Sequence, residues 1–243
     1  MGSMSLALDH SLTYRDRRLR NLPHRLRLRA ILRLVRASVA GPIDGYADFG
    51  CSNGFITHQV RTAIGARDAW GFDHQESHFD TGRDLYPDIR FQTVNLNRPA
   101  DLAMAFDLVT CFETLEHVGD FKAAVDNLLA AVADDGVLVL SVPIEIGAIG
   151  LAKFVAKLAL GYDLRELPPR PRRGLAYLGQ LVSGRRISAF RDARDGWGTH
   201  FGFDYRDLDD FLKSRGIAYR AWNSATTRFF VIKPAGAART TPD

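Results

Sequence analysis

The sequence predicts an α/β fold, a mostly parallel sheet with helices on both faces. Three observations predict it. Short apolar runs alternate with helical stretches from Tyr46 to Pro143, the pattern of repeated strand–helix–strand units. The first run ends in a small-residue turn, Gly50-Cys51-Ser52-Asn53-Gly54, that leads into a helical stretch. The composition is that of an ordinary globular chain, with 243 residues, 46% hydrophobic and 25% charged. Such a length holds one large domain or two small ones.

The elements follow in order. Residues 23–39 read as a helix, with Arg25, Arg29, Arg33 and Arg36 on one face and Leu28, Ile31, Leu32, Val35 and Val39 on another. Gly41-Pro42 ends it. Strands are expected at 46–49, 69–72, 89–94, 106–112 and 136–142, and helices at 54–64, 75–85 and 120–133. After Pro143 the alternation stops for more than fifty residues. That stretch holds an apolar helix at 151–160, a rigid Pro-rich turn at 168–171 and a short apolar element at 175–182. Asp204 can cap a helix over 205–215 with Gly216 just past its end. Two strands, 217–222 and 228–232, then read as an antiparallel hairpin.

Charge is unevenly spread. The formal net charge is +4, yet residues 1–40 carry nine Arg against two Asp. Residues 165–194 carry eight Arg against Glu166 and Asp192, and neither segment contains Lys. The rest of the chain is therefore acidic. Arg without Lys suits bidentate contact with phosphate or carboxylate, and equally a solvated surface. Two cysteines, Cys51 and Cys111, cannot make a disulfide framework, no run is long and apolar enough for a membrane helix, and no secretory signal opens the chain. A cytoplasmic location is expected.

The glycine turn places backbone N–H groups and a positive helix end at the crest of the sheet. It is not G-x-G-x-x-G, and no Lys-Ser/Thr follows to make a nucleotide-triphosphate loop. Asp73 closes the second strand, 23 residues after Gly50, where an acid can accept from both hydroxyls of a ribose. Asn95 closes the third, where an amide can meet an adenine edge. The fourth strand runs into Glu113-Thr114-Leu115-Glu116-His117-Val118.

With these features in this order, the sequence resembles the class I S-adenosylmethionine-dependent methyltransferases, well over 45–143 and loosely over 197–233. Its fourth strand is similar to the branch carrying L-E-H-[VIL], and Thr199–Asp204 resembles the segment before that family's last helix. The resemblance implies a Rossmann-like seven-stranded sheet with its last strand antiparallel, and S-adenosyl-L-methionine as cofactor. Carried over, Asp48, Gly50 and Gly54 shape the methionine end, with Cys51 in the same turn. Asp73 holds the ribose with His74 beside it, Asn95 and Leu96 meet the adenine, and Phe112 and Glu113 lie beneath the sulfonium. Two positions depart from the family pattern: Ser52 for the central glycine and Asn95 for the usual Asp.

A sulfonium methyl is already activated, so positioning supplies much of the rate and a hydroxyl acceptor needs a general base. His117 and His200 are the candidates. Glu113-x-x-Glu116-His117 also resembles a segment of the quinone O-methyltransferases where a divalent ion is implicated, but the reading here is catalysis without a metal. The expected organisation is a basic helical segment at 1–40 and a cofactor-binding core at 41–143. An Arg-rich helical insert or lid at 144–200, the end of the core at 201–234 and a flexible tail at 235–243 follow. The insert is expected to take a small acceptor, a sugar or related metabolite. Arg170, Arg172, Arg173, Arg185 and Arg186 would hold a phosphate or carboxylate of that acceptor, for which a nucleotide-linked or lipid-linked sugar is suited. Nucleic acid is not expected, since few aromatics lie among these arginines. Peripheral membrane contact stays open, as does a non-catalytic module of the same fold binding RNA or an anionic membrane.

Overall fold

The computed structural model describes residues 21–100, 102–147, 149–152, 171–191 and 202–234, together with Ser11, Tyr14 and Arg18. Seven strands form one sheet in the order β3-β2-β1-β4-β5-β7-β6. They are β1 (Gly45–Phe49), β2 (Asp68–Asp73), β3 (Ile89–Thr93), β4 (Phe106–Phe112), β5 (Val132–Pro143), β6 (Tyr219–Ser224) and β7 (Thr227–Ile232). The first five pair in parallel, and β7 runs antiparallel between β5 and β6. The chain order reverses between β1 and β4, where an open α/β sheet leaves a crevice outside its carboxyl ends.

The helices are α1 (Leu22–Ser38), α2 (Phe55–Ile64), α3 (Phe79–Leu85), α4 (Phe121–Ala130), α5 (Pro171–Ser183) and α6 (Tyr205–Ser214). Ile31, Leu34 and Val35 of α1 and Phe55 and Val60 of α2 pack against one sheet face, on Tyr46, Leu108, Val139 and Phe229. Val125 and Leu128 of α4 and Leu208 and Leu212 of α6 pack against the other, on Ala47, Val109, Leu138 and Phe230. Central strands covered on both faces explain the near-continuous burial of β4 and of β5 from Gly136 onward. A smaller core joins Ile144 and Ile146, past β5, to Tyr177 and Leu181 of α5 and to Ile187 and Phe190.

Some boundaries differ from expectation. The helix expected at 75–85 is a 3₁₀ turn, Glu76–His78, followed by α3. The helix expected to reach residue 133 stops at Ala130, and β5 begins at Val132. Its register then jumps from Phe106↔Val132 to Leu108↔Val137, so Asp134 and Asp135 bulge out of the strand. Asp204 caps α6 as its position implied, accepting from the Arg206 N–H at 3.1 Å. The expected helix at 151–160 and Pro-rich turn at 168–171 lie mostly outside the described residues, and the tail at 235–243 does so entirely.

Candidate active site

A cavity of about 380 Å³ opens at the carboxyl ends of β1, β2 and β4, beside the β1–β4 reversal. Its floor is the turn from β1 into α2. Gly50 has φ +78°, and a Cβ there would lie 2.1 Å from Thr114 Oγ1, so only glycine fits. The Gly50 and Cys51 N–H groups both donate to the Phe72 carbonyl, at 2.7 and 3.1 Å, tying the turn to β2. Ser52 also adopts a left-handed conformation, φ 51°, and its N–H donates to Asp73 Oδ2 at 2.8 Å.

Asp73 lies at the end of β2, 8% exposed. Besides Ser52, the Gln75 N–H donates to its Oδ1 at 3.0 Å, and His74 Nδ1 lies 3.1 Å from the same oxygen. A carboxylate offers about four lone-pair sites, so this framework orients Asp73 and leaves it able to accept from a ligand. Asp48 is buried beneath, accepting from Thr57 Oγ1 and Thr110 Oγ1, each at 2.7 Å. Burial pushes its carboxyl up to about 6, against the lowering effect of both hydroxyls. Burial also pushes up the Cys51 thiol, which stays protonated as a small wall residue.

Beyond β4, Glu113 has a left-handed backbone, φ 49°, a conformation costing a non-glycine residue about 1–3 kcal/mol that surrounding contacts must hold. Its N–H donates to the Ser141 carbonyl at 3.0 Å, and its Oε1 accepts from Ser141 Oγ at 3.2 Å. Its Oε2 pairs with Arg27 Nη2 of α1 at 3.0 Å. His117 follows in the turn after β4 and lines the cavity, with its N–H on the Thr114 carbonyl at 2.9 Å. Glu116 is buried, and burial, reinforced by Glu113, pushes its carboxyl well above the usual range. Its Oε2 has no hydrogen-bond partner among the described residues. Among the described residues no group of three His, Cys, Asp or Glu side chains is placed to hold a metal.

Of the expected site residues, Asp48, Gly50, Cys51, Asp73, His74, Leu96, Phe112, Glu113 and His117 line one cavity. Gly54 and Asn95 do not. Gly54, φ +79°, caps α2 from below, where a Cβ would meet the Phe91 ring at 2.6 Å. Asn95 is exposed, and its Oδ1 accepts from Asn97 N and Nδ2, at 3.0 and 3.2 Å, closing its own turn. Val94 and Leu96 on either side line the cavity instead. His200 lies outside the described residues.

Tyr14, His24 and Arg27 also line the cavity, and the sequence did not single them out. Tyr14 stacks on Phe55 with ring centroids 5.4 Å apart and meets His24 edge-on at 5.7 Å. Burial and the Arg27 charge lower the His24 imidazole, keeping it neutral near pH 7. Arg27 Nε also donates to Thr227 Oγ1 at 3.2 Å, so one guanidinium joins α1, the end of β4 and the start of β7. The insert behaves differently. Arg186 pairs with Asp207 and Asp210 of α6 rather than facing the cavity. Arg185 is exposed, and Arg170 and the side chains of Arg172 and Arg173 lie outside the described residues. Arg191 donates to the Leu115 and Val118 carbonyls and lies 4.9 Å over the Phe203 ring, pinning the return of the insert to the turn that carries His117.

A family model described as a methyltransferase domain matches residues 13–206. Magnesium protoporphyrin IX methyltransferase from Synechocystis PCC 6803, solved with bound S-adenosylhomocysteine, is similar at TM-score 0.58 and 15% identity, over 91% of this chain and 90% of that one. The plantazolicin methyltransferase, solved with a triazolic desmethyl analogue and S-adenosylhomocysteine, is similar at TM-score 0.58 and 12% identity, over 92% and 88%. A TehB-like S-adenosylmethionine-dependent methyltransferase from Corynebacterium glutamicum is similar at TM-score 0.53 and 16% identity, over 88% and 96%. No curated protein matches the chain. The match over most of its length and the fold together show that the chain belongs to the methyltransferase-domain family, as an S-adenosylmethionine-dependent methyltransferase.

Proposed function

We propose that the chain methylates a hydroxyl of a small acceptor, a sugar or related metabolite carrying a phosphate, nucleotide or lipid link, in the cytoplasm. The observation that carries the hydroxyl reading is His117, an imidazole in the cavity wall four residues beyond Glu113. A hydroxyl loses a proton as its oxygen takes a methyl group, and an imidazole nitrogen can accept that proton. The free, buried Cys51 and Cys111 fit a reducing compartment.

The residues present fit the cofactor. Phe72, Val94 and Leu96 offer an apolar slot for the adenine, and Asp73 an acceptor pair for the ribose. The methionine end would lie among Gly50, Arg27 and Glu113, its carboxylate toward Arg27 and its ammonium toward Glu113. When bound, S-adenosylmethionine supplies a methyl group already activated for nucleophilic attack. The chain's own work is to hold that end rigidly, to close it from water with Tyr14 and α1, and to accept the acceptor's proton at His117. Asp48 holds the floor through Thr57 and Thr110.

The test is methyl transfer from radiolabelled cofactor to a panel of sugar phosphates, nucleotide sugars and lipid-linked sugars, beside peptide and nucleic-acid controls. The expected product is a methyl ether. His117→Asn should lower kcat about 100-fold or more, with little change in cofactor affinity. Label on peptide nitrogen or nucleic acid, or an unchanged kcat in H117N, would overturn this reading.

A further inference from the structure

A second cavity, of about 660 Å³, lies between α1 and the outer strands β6 and β7. It is separate from the methyl-transfer site, with which it shares no lining residue. Its origin is a gap in the layering. Seven strands present one face to α1 and α2, and α1 reaches only as far as Phe229 and Val231 of β7. Beyond it no helix among the described residues covers the edge strand β6 on this side. The register puts Trp222 opposite Phe229 and Arg220 opposite Val231, so the four side chains share that face. Trp222 stacks on Phe229 at 6.1 Å and remains 38% exposed. On α1 the facing residues include Ala30, Leu34 and Ala37, and the two alanines leave the groove wide.

Among the described residues the groove is charged in one sense only: Arg33 of α1, Arg220 of β6 and Lys233, just past β7, line it, and no described Asp or Glu does. None of the three has a carboxylate partner among the described residues, whereas Arg27, Arg186, Arg206, Arg215 and Arg228 all do. All three are exposed at the rim of an apolar floor. The volume falls within the range of about 300–1,000 Å³ usual for small-molecule pockets. A groove of that size, open to solvent, apolar below and cationic at its rim, suits one chain-like molecule with an anionic head.

We infer that this groove binds a single-chain anionic amphiphile, its alkyl or acyl chain on Leu34, Phe229 and Trp222 and its phosphate or carboxylate head on Arg33, Arg220 and Lys233. No catalytic residue is involved, so binding is independent of the acceptor proposed above.

The probe is dodecyl phosphate, kept below its micelle-forming concentration and titrated into the full chain, read by tryptophan emission and calorimetry. Saturable binding of one molecule per chain is expected. The double variant Arg220→Glu/Lys233→Glu should weaken it at least tenfold, about 1.4 kcal/mol. Ala37→Phe, which fills the groove from α1, should abolish it. Dodecyl trimethylammonium should fail to bind, and S-adenosylhomocysteine should bind both variants like wild type, showing the fold intact. Equal binding of the cationic amphiphile, or binding that survives Ala37→Phe, would overturn the inference. So would phosphatidylglycerol vesicles that sediment the chain while monomeric dodecyl phosphate does not bind, which would assign the face to a bilayer. Concentration-dependent dimerisation lost in the double variant would assign it to a second copy.

Discussion

The two Arg-rich segments look alike in the sequence and do different work in the fold. The N-terminal segment packs α1 on the sheet and sends Arg27 to the end of β4, where it pairs with Glu113 at the cavity proposed for the cofactor. The insert spends Arg186 on the acids of α6, and Arg191 on the carbonyls of the turn that holds His117. One segment thus completes the site from inside, and the other braces it from outside. The difference is burial. The side chains of Arg27 and Glu113 are only 15% and 18% exposed, whereas that of Arg186 is 46% exposed. A charge pair withdrawn from water is costly to break, and an exposed one is worth little.

The largest effect that would break this comparison belongs to Arg27. Arg27→Ala strands the Glu113 carboxylate beside the proposed methionine site and removes the cation nearest it. Cofactor affinity measured by calorimetry should fall about 10- to 100-fold, with a loss of thermal stability. Arg186→Ala should leave that affinity unchanged and cost less than about 1 kcal/mol in a denaturant titration. Equal effects of the two substitutions would erase the distinction between the segments.

Arg191 should come next. Arg191→Met keeps much of the stem over Phe203 and removes the donors to the Leu115 and Val118 carbonyls. Methyl transfer should fall about tenfold in kcat/KM while S-adenosylhomocysteine affinity holds, because the turn bearing His117 loosens and the cofactor floor does not. A matching loss in cofactor affinity would mean that the insert also supports the cofactor half.

A last effect lies in the buried floor and appears only as a pH dependence. Asp48 titrates at about 6 in the fold, above its unfolded value. A raised carboxyl favours the folded state while protonated, so its contribution is present below about pH 4 and lost as pH rises through about 6. The change is roughly 2–3 kcal/mol at most. Melting curves from pH 4 to 7.5 should show wild type losing stability relative to Asp48→Asn across that window. A difference independent of pH would mean that Asp48 is not held in this way.

The strand–helix alternation was legible because each element is periodic over its own residues and the central strands are buried on both faces. The glycine turn and Asp73 were legible because a tight strand-to-helix turn restricts its residues locally: Gly50 has no room for a Cβ, and Asp73 closes β2 within reach of Ser52. Arg27 was not, since its partners Glu113 and Thr227 lie 86 and 200 residues away, brought to it by α1 packing across the sheet. It also falls off the Arg25–Arg36 face that periodicity drew out. Asn95 lies outside the cavity lining for a local reason: it follows β3, and its amide oxygen serves the backbone of its own turn, as Asn side chains often do. The start of β5 was hidden because Val132-Ala133 continues the apolar pattern of α4 past its last turn.

The account stands or falls on the cavity at the carboxyl edge being the cofactor site, with Asp73 on the ribose. Titration calorimetry with S-adenosylhomocysteine tests this directly. Wild type should bind with an affinity on the order of micromolar, and Asp73→Ala should weaken binding about 100-fold. Asp73→Asn, which keeps an acceptor for the turn, should weaken it at least about tenfold with the circular dichroism spectrum unchanged. Folded Asp73 variants that bind like wild type would contradict the account.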